Sequence, residues 1–372
     1  MAGCLSNLAN AAFGLDDYTA ARKRFEQALQ LYKQSEDSAN IAYCLVGLGN
    51  TAFFAGDHGE AQTRLHEALR IYQRMGDAHG VATVLVRLGN VRRNQGFLAE
   101  GKAHFLEATQ IFREVGDRQG AAVCLYSLGL VSYFQGSYKE AQGHYTDALE
   151  IYQEVGYQRG INACLCHMGN TALCQGDAVR AVTLYEESER MCRRTGDRRN
   201  LAATLFYMGC MKVDQNQSSE AIPYLEEALR LEREIGSLGG IANCIAATGF
   251  LTLEQHNLSE AALHLSEALK LYQNTNVRAG IAEVLEAYAR MALRTRQPLR
   301  AARLAGAACA MRKSLDVTRS IVPHLWAKAL DELRRTLREA TFTTSWRQGE
   351  AISPSEAIAE ALQPGAPEDN VE

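Results

Sequence analysis

The chain has 372 residues, 47% of them hydrophobic, with 39 basic against 43 acidic residues and a formal charge of −4. That balance argues against a dedicated nucleic-acid surface, which would be basic. No charged segment followed by an apolar one opens the chain, and no apolar run is long enough to span a bilayer.

From Met1 to about Asp316 the sequence repeats every forty residues. One column reads Leu5, Leu45, Leu85, Leu125, Leu165, Leu205, Ile245, Leu285; another reads Gly49, Gly89, Gly129, Gly169, Gly209, Gly249. A period of this length means stacked units rather than one globular core. Residues 37–76 illustrate one unit. Ile41, Leu45, Leu48 and Ala52 recur at three or four residues, the period of one helix face. Gly56 then supplies a left-handed helix end and Asp57 a cap for the next helix. Ala61, Leu65, Ala68, Leu69 and Tyr72 mark a second helix face, and Gly76-Asp77 repeats the stop-and-start signal. Small residues at Gly49, Ala52, Ala61 and Ala68 fall where two helices must approach closely. Eight such units begin near residues 1, 37, 77, 117, 157, 197, 237 and 277, the eighth being the most divergent.

This pattern resembles the tetratricopeptide repeat, with Leu48-Gly49, Ala61, Leu65 and Ala68 in the expected places. The unit is longer than the 34-residue consensus and lacks its Trp, Tyr and closing Pro, matching a forty-residue Leu-Gly-Asn variant. The resemblance implies an all-α solenoid, a right-handed superhelix of antiparallel helix pairs.

Beyond Asp316 the period stops. Residues 317–362 are expected to form C-terminal capping helices, one of them over Ile321–Ala340, and Ser353-Pro354-Ser355-Glu356 reads as a capping box. Residues 363–372 are expected to be a disordered tail. The stretch from Arg303-Leu-Ala-Gly306 through Trp346-Arg-Gln-Gly349 to Ile352-Ser-Pro-Ser is similar to the C-terminal end of MalT-like and AfsR-like bacterial signalling ATPases. In those proteins a nucleotide-binding switch precedes a forty-residue-repeat array. Met1 falls inside the first helix of a repeat, so the chain reads as a fragment or standalone derivative of a longer regulator.

Motifs for chemistry fail on inspection. Gly96-Phe-Leu-Ala-Glu-Gly101-Lys102-Ala103 nearly matches a phosphate-binding loop, but Ala103 supplies no hydroxyl for magnesium and no strand precedes it. Cys164, Cys166, His167 and Cys174 match no usual zinc spacing. Cys44, Cys124, Cys164 and Cys244 share one column and read as small buried hydrophobes of a reducing cytosol. No Ser-His-Asp set, nucleophile elbow or His-Glu-x2-His pair occurs. We therefore expect no catalysis, no metal, no cofactor, no direct nucleic-acid contact, no membrane span and a cytoplasmic location.

The column Asn10, Asn50, Asn90, Asn170 stands out, because Asn is a poor residue for a helix interior. The family resemblance places the first helix of each pair on the concave face. These amides would then line a groove beside Tyr43, Phe53, Arg93, Tyr126, Tyr133, Phe206 and Phe250. An amide that bridges neighbouring helices would look equally periodic. The function implied is a module binding a protein or peptide, the sensor or docking part of a signalling or transcription-regulatory ATPase lying upstream. A freestanding adaptor is one alternative, and an enzyme with an unrecognised site is another.

Overall fold

The structure is a computed structural model and describes residues 1–15, 17–317 and 322–363. The described residues are helical throughout, with no strand among them. Helices come in consecutive pairs. The first pairs are α1 (Ala2–Gly14) with α2 (Tyr18–Gln34), α3 (Ser38–Phe54) with α4 (His58–Met75), and α5 (Ala78–Asn94) with α6 (Leu98–Glu114). Then follow α7 (Arg118–Phe134) with α8 (Tyr138–Glu154), and α9 (Gln158–Cys174) with α10 (Ala178–Thr195). Further along are α11 (Arg198–Asp214), α12 (Ser218–Ile235), α13 (Leu238–Glu254), α14 (Leu258–Asn274), α15 (Arg278–Arg294) and α16 (Pro298–Ser314). Three more helices end the described chain: α17 (Pro323–Thr336), α18 (Glu339–Ala351) and α19 (Pro354–Leu362). Their contacts group into two compact units. Unit 1 comprises Met1–Thr204 and Leu231–Leu238; unit 2 comprises Leu205–Arg230 and Gly239–Glu372.

The turns obey a local code with a spacing of twenty residues. Gly56, Gly76, Gly96, Gly116 and Gly136 all have positive φ. The aspartate that follows caps the next helix: Asp57 accepts from the Glu60 N–H at 2.9 Å, Asp77 from Gly80 at 2.9 Å, and Asp117 from Gly120 at 2.8 Å. Both events are local, so the chain punctuates itself without help from packing.

Packing is set by glycines facing large side chains. A β-carbon at Gly89 would lie 2.6 Å from the Phe105 ring, at Gly129 2.5 Å from Tyr145, and at Gly169 2.7 Å from Tyr185. Each glycine and its filler belong to the two helices of one pair. A second set joins successive pairs: a β-carbon at Gly80 would lie 2.4 Å from the Tyr72 ring, and one at Gly160 2.5 Å from Tyr152. Unit 2 repeats the device with Gly249 against Leu265 and Gly280 against Tyr272. The fillers Phe105, Tyr145, Tyr185 and Tyr272 are fully buried.

The C-terminal helices dock on α16 through the same principle. A β-carbon on Gly349 would sit 1.9 Å from the Arg303 carbonyl oxygen, and one on Gly306 2.3 Å from that of Trp346. Backbones of α16 and α18 therefore meet directly, which explains the Gly306 and Gly349 of the C-terminal motif. Arg300 adds a clasp by donating to the carbonyls of Glu360 at 2.8 Å, Ala361 at 3.0 Å and Gln363 at 2.6 Å, the open end of α19. The capping box at Ser353 and Glu356 is formed.

The single helix expected over Ile321–Ala340 is instead α17 followed by α18. The chain breaks at Leu337 and Arg338, whose backbones are extended. Leu337 is 4% exposed, so its burial in the core accompanies the break. The expected tail lies outside the described residues apart from Gln363.

Gly349→Ala should destabilise the protein by about 1–3 kcal/mol, because backbone cannot yield to an added methyl as a side-chain tip can. Gly143→Ala, in α8 with nothing within 4 Å of the new carbon, should instead stabilise by roughly 0.5–1 kcal/mol. Thermal melts of the two variants give opposite shifts if helix contact, rather than helix propensity, governs Gly349.

Candidate functional site: the inner face of unit 1

Odd-numbered helices of unit 1 touch their odd-numbered successors, α3 with α5, α5 with α7 and α7 with α9, while even-numbered ones make no comparable contact. The odd helices therefore form the inner layer of a curved stack. Two side chains of α5 reach across that inside. Arg87 is near enough to Tyr157, at the start of α9, to interact with it electrostatically, and Arg93 is near enough to His167 of α9. The start of α11 also returns to the first pairs. Arg199 donates to the Tyr18 hydroxyl at 2.5 Å, and its guanidinium lies 4.3 Å over the Phe54 ring. Tyr18 and Phe54 are themselves stacked at 5.5 Å and 12°.

The asparagine column divides in two. Asn10 donates to the Tyr43 hydroxyl, a bridge between neighbouring pairs. Asn170, 1% exposed, accepts from the Tyr185 hydroxyl at 2.5 Å within its own pair. Asn50 and Asn90 are half-buried on the inner face, and their side chains have no hydrogen-bond partner among the described residues. The cause is chemical. The position fifteen residues on, which holds Tyr185 for Asn170, holds Leu65 for Asn50 and Phe105 for Asn90. Neither has a hydroxyl to offer.

Aromatic residues lie on both sides of these amides. Tyr43 is 41% exposed, and Phe53 is half-buried with its ring 5.1 Å from Phe54. Tyr126 is half-buried, its ring 5.8 Å from Tyr145 and 5.6 Å from His167. Tyr133 is buried, 6.0 Å from Tyr138, with the Cys174 thiol 4.0 Å from its hydroxyl. Arg93 donates to the Asn94 side chain at 3.3 Å. Phe206 and Phe250 belong to unit 2 and lie within its packing.

The sequence reading passed over Arg87 and treated His167 only as a doubtful metal ligand. Both stand three residues before the asparagine column, hence on its face of the helix. That spacing was the available signal. Enclosure, together with the positive charge of Arg93, pushes His167 down to about 3. Among the described residues no group of His, Cys, Asp or Glu could hold a metal ion, and no helix is long and apolar enough to cross a membrane.

In unit 2 the corresponding inner positions are occupied or paired. Cys210, Phe250 and Arg290 are buried. Arg290 pairs with Glu254, which Arg294 also reaches at 3.0 Å. The Asp214 carboxylate accepts from the backbone N–H of His324 at 3.1 Å and of Leu325 at 3.2 Å, anchoring the start of α17 on the end of α11.

An array of paired helices with small-residue contacts, and with amides left open along its inner layer, matches one sequence family. Residues 1–74, 80–154 and 161–234 fit the tetratricopeptide repeat. The chain belongs to the tetratricopeptide repeat family. Among solved structures it is similar to a Rap protein complexed with Competence and Sporulation Factor, at 16% identity and a TM-score of 0.63 over 73% of this chain and 74% of that one. It is also similar to the Rap conjugation gene regulator of plasmid pLS20 in complex with the Phr* peptide, at 13% identity and 0.61 over 90% and 96%. A third is a signal transduction ATPase with numerous domains, carrying a tetratricopeptide repeat sensor, from Pyrococcus horikoshii. It matches at 16% identity and 0.50 over 90% of this chain and 50% of that one. At these identities the likeness carries the fold alone. No curated protein matches the chain significantly.

The pKa of His167 gives a signed expectation. The unfolded imidazole takes a proton near its ordinary 6.5, the folded one only near 3. The unfolded state therefore binds more protons as pH falls from about 6.5 to about 3, and stability drops by up to about 1.4 kcal/mol per pH unit from this group. His58 and His104 move the same way. In His167→Gln the fall in stability per pH unit between about pH 6.5 and pH 4.5 should be smaller than in the parent by up to about 1.4 kcal/mol. Equal slopes in urea titrations would show that His167 is freely protonated in the fold.

Proposed function

We propose that this tetratricopeptide repeat chain is a peptide-binding module, with the inner face of unit 1 as its receptor surface, and that it binds without catalysing a reaction. The observation that carries this reading is the pair of open amides, Asn50 and Asn90, half-buried on the inner face, whereas Asn10 and Asn170 of the same column each bond a tyrosine hydroxyl. An amide offers a donor and an acceptor in one plane, which suits the backbone of an extended peptide. Exposed Tyr43 and half-buried Tyr126 supply apolar surface beside them. The two Rap structures of the same fold contain a bound factor and a bound peptide by their own descriptions, which supports the reading.

The role we propose is the sensing or docking part of a signal-transduction protein. The Pyrococcus horikoshii protein, whose repeats are described as a sensor, and the C-terminal Gly306–Gly349 motif both favour it. Ten free cysteines, most of them buried, suit a reducing cytoplasm.

The test is selection of a random peptide library on the purified protein, followed by affinity and melting measurements on variants. Asn50→Ala and Asn90→Ala should each weaken a selected peptide by about 2- to 10-fold, corresponding to 0.5–1.5 kcal/mol per hydrogen bond. Their melting temperatures should hold. Asn170→Ala should instead lower the melting temperature, since it leaves the buried Tyr185 hydroxyl without its acceptor. A library that yields no binder, or Asn50 and Asn90 variants that lose stability but keep affinity, would overturn the assignment.

A further inference from the structure

Arg87 differs from the paired arginines of unit 1. Arg22 pairs with Glu26 and Glu60, Arg92 with Glu100, and Arg118 with Glu154. Arg87 has no hydrogen bond and no ion pair among the described residues, and its Nε is fully enclosed without a partner. It projects from the third turn of α5 onto the inner side, three residues before Asn90, and is half-buried there. A guanidinium removed from water without a counter-charge is costly. The group whose electrostatics reach it, Tyr157, is a phenol and not a carboxylate. The inner positions of α3, α5, α7 and α9, spaced forty residues apart from 43, 47, 50 and 54, include no Asp or Glu. In a chain with 43 acidic residues against 39 basic ones, that absence is local. Arg93 adds a second positive charge on the same helix, and its field reaches His167. The inner face is therefore cationic inside an acidic protein, with one cation held ready and unpaired.

We propose that the peptide bound by unit 1 carries an acidic side chain whose carboxylate pairs with Arg87. The proposal rests on the peptide-binding reading above and names the chemistry of its ligand. A side chain is favoured over a chain terminus by the neighbours of Arg87. Asn50 lies one helix pair to one side, and inner-face positions of α7 and α9 lie to the other. The peptide backbone thus has surface to follow in both directions past the arginine. A guanidinium and a carboxylate can meet through two parallel hydrogen bonds, which gives orientation as well as attraction.

The experiment uses the full chain and a random seven-residue peptide display library. The best binder is resynthesised in three forms: as selected, with each Asp or Glu replaced by its amide counterpart, and with an amidated C-terminus. Binding to the parent, Arg87→Gln and Arg87→Lys is followed by fluorescence anisotropy at two salt concentrations. Selected peptides should share an Asp or Glu at a fixed position. Its replacement should cost the parent roughly tenfold or more, and Arg87→Gln almost nothing. Arg87→Lys should fall between, because a lysine cannot make the two-bond contact. C-terminal amidation should leave affinity unchanged, and added salt should narrow the acid-to-amide difference. If Arg87→Gln fails to fold, Arg87→Lys and the salt series on the parent decide the matter. Binders without a shared acid, an equal loss on parent and Arg87→Gln, or a loss on amidation would each overturn the proposal while leaving peptide binding intact. Failure to select any binder would overturn the peptide-binding reading itself.

Discussion

Everything in this protein depends on how closely two helices are allowed to approach. The distance is set by a glycine on one helix and a ring or leucine on the other: Gly89 under Phe105, Gly129 under Tyr145, Gly169 under Tyr185. The contact leaves no room for even one methyl group, so it fixes spacing and rotation together. The second contact, Tyr72 on Gly80 and Tyr152 on Gly160, hands the same constraint from one pair to the next. Dispersion and burial hold the fold, but this fit decides which face of each odd helix looks inward. Asn50, Arg87 and Asn90 are presented inside because Gly49 and Gly89 commit another face of each helix to packing.

Much of this was legible in the sequence because it is local or periodic. The turn glycines, the aspartate caps and the capping box at Ser353 each act within three or four residues. The Gly49 column was visible as a repeat, although the second lock through Gly80 and Gly160 was not singled out. The break at Leu337 and Arg338 was invisible, since it follows from burial of Leu337 and not from any breaker residue. The site was only half legible. The asparagine column looks uniform in sequence, but its members differ by the residue fifteen positions on, a hydroxyl for Asn170 and none for Asn50 or Asn90. The contact of Arg199 with Tyr18 and Phe54 joins residues too far apart in sequence for any pattern to announce.

The two units treat inward-facing charge in opposite ways. In unit 2 the arginines at 290 and 294 share the carboxylate of Glu254, and Arg312 holds Glu286 at 2.6 Å in the interior. Each buried charge there has met its counterpart within the chain, at the cost of fixing the side chains involved. In unit 1 the inner arginine and two amides keep their capacity open. A surface built to be completed from outside carries such a deficit, and a surface built for stability does not.

The equal length of the inner helices has a geometric consequence. α3, α5, α7 and α9 each contain 17 residues, so equivalent positions on successive pairs recur in rows along the inner layer. Helices in contact stand about 8–10 Å apart, and an extended chain advances about 3.3 Å per residue. One repeat thus corresponds to about three residues of a strand laid along the rows. In a strand the N–H and C=O of one residue point to the same side and those of the next residue to the other side. A partner strand would therefore present donors and acceptors together along the edge that faces the rows. An asparagine can answer both, donating through its nitrogen and accepting through its oxygen. Asn50 and Asn90, one repeat apart, can in this way meet both kinds of backbone group on one partner.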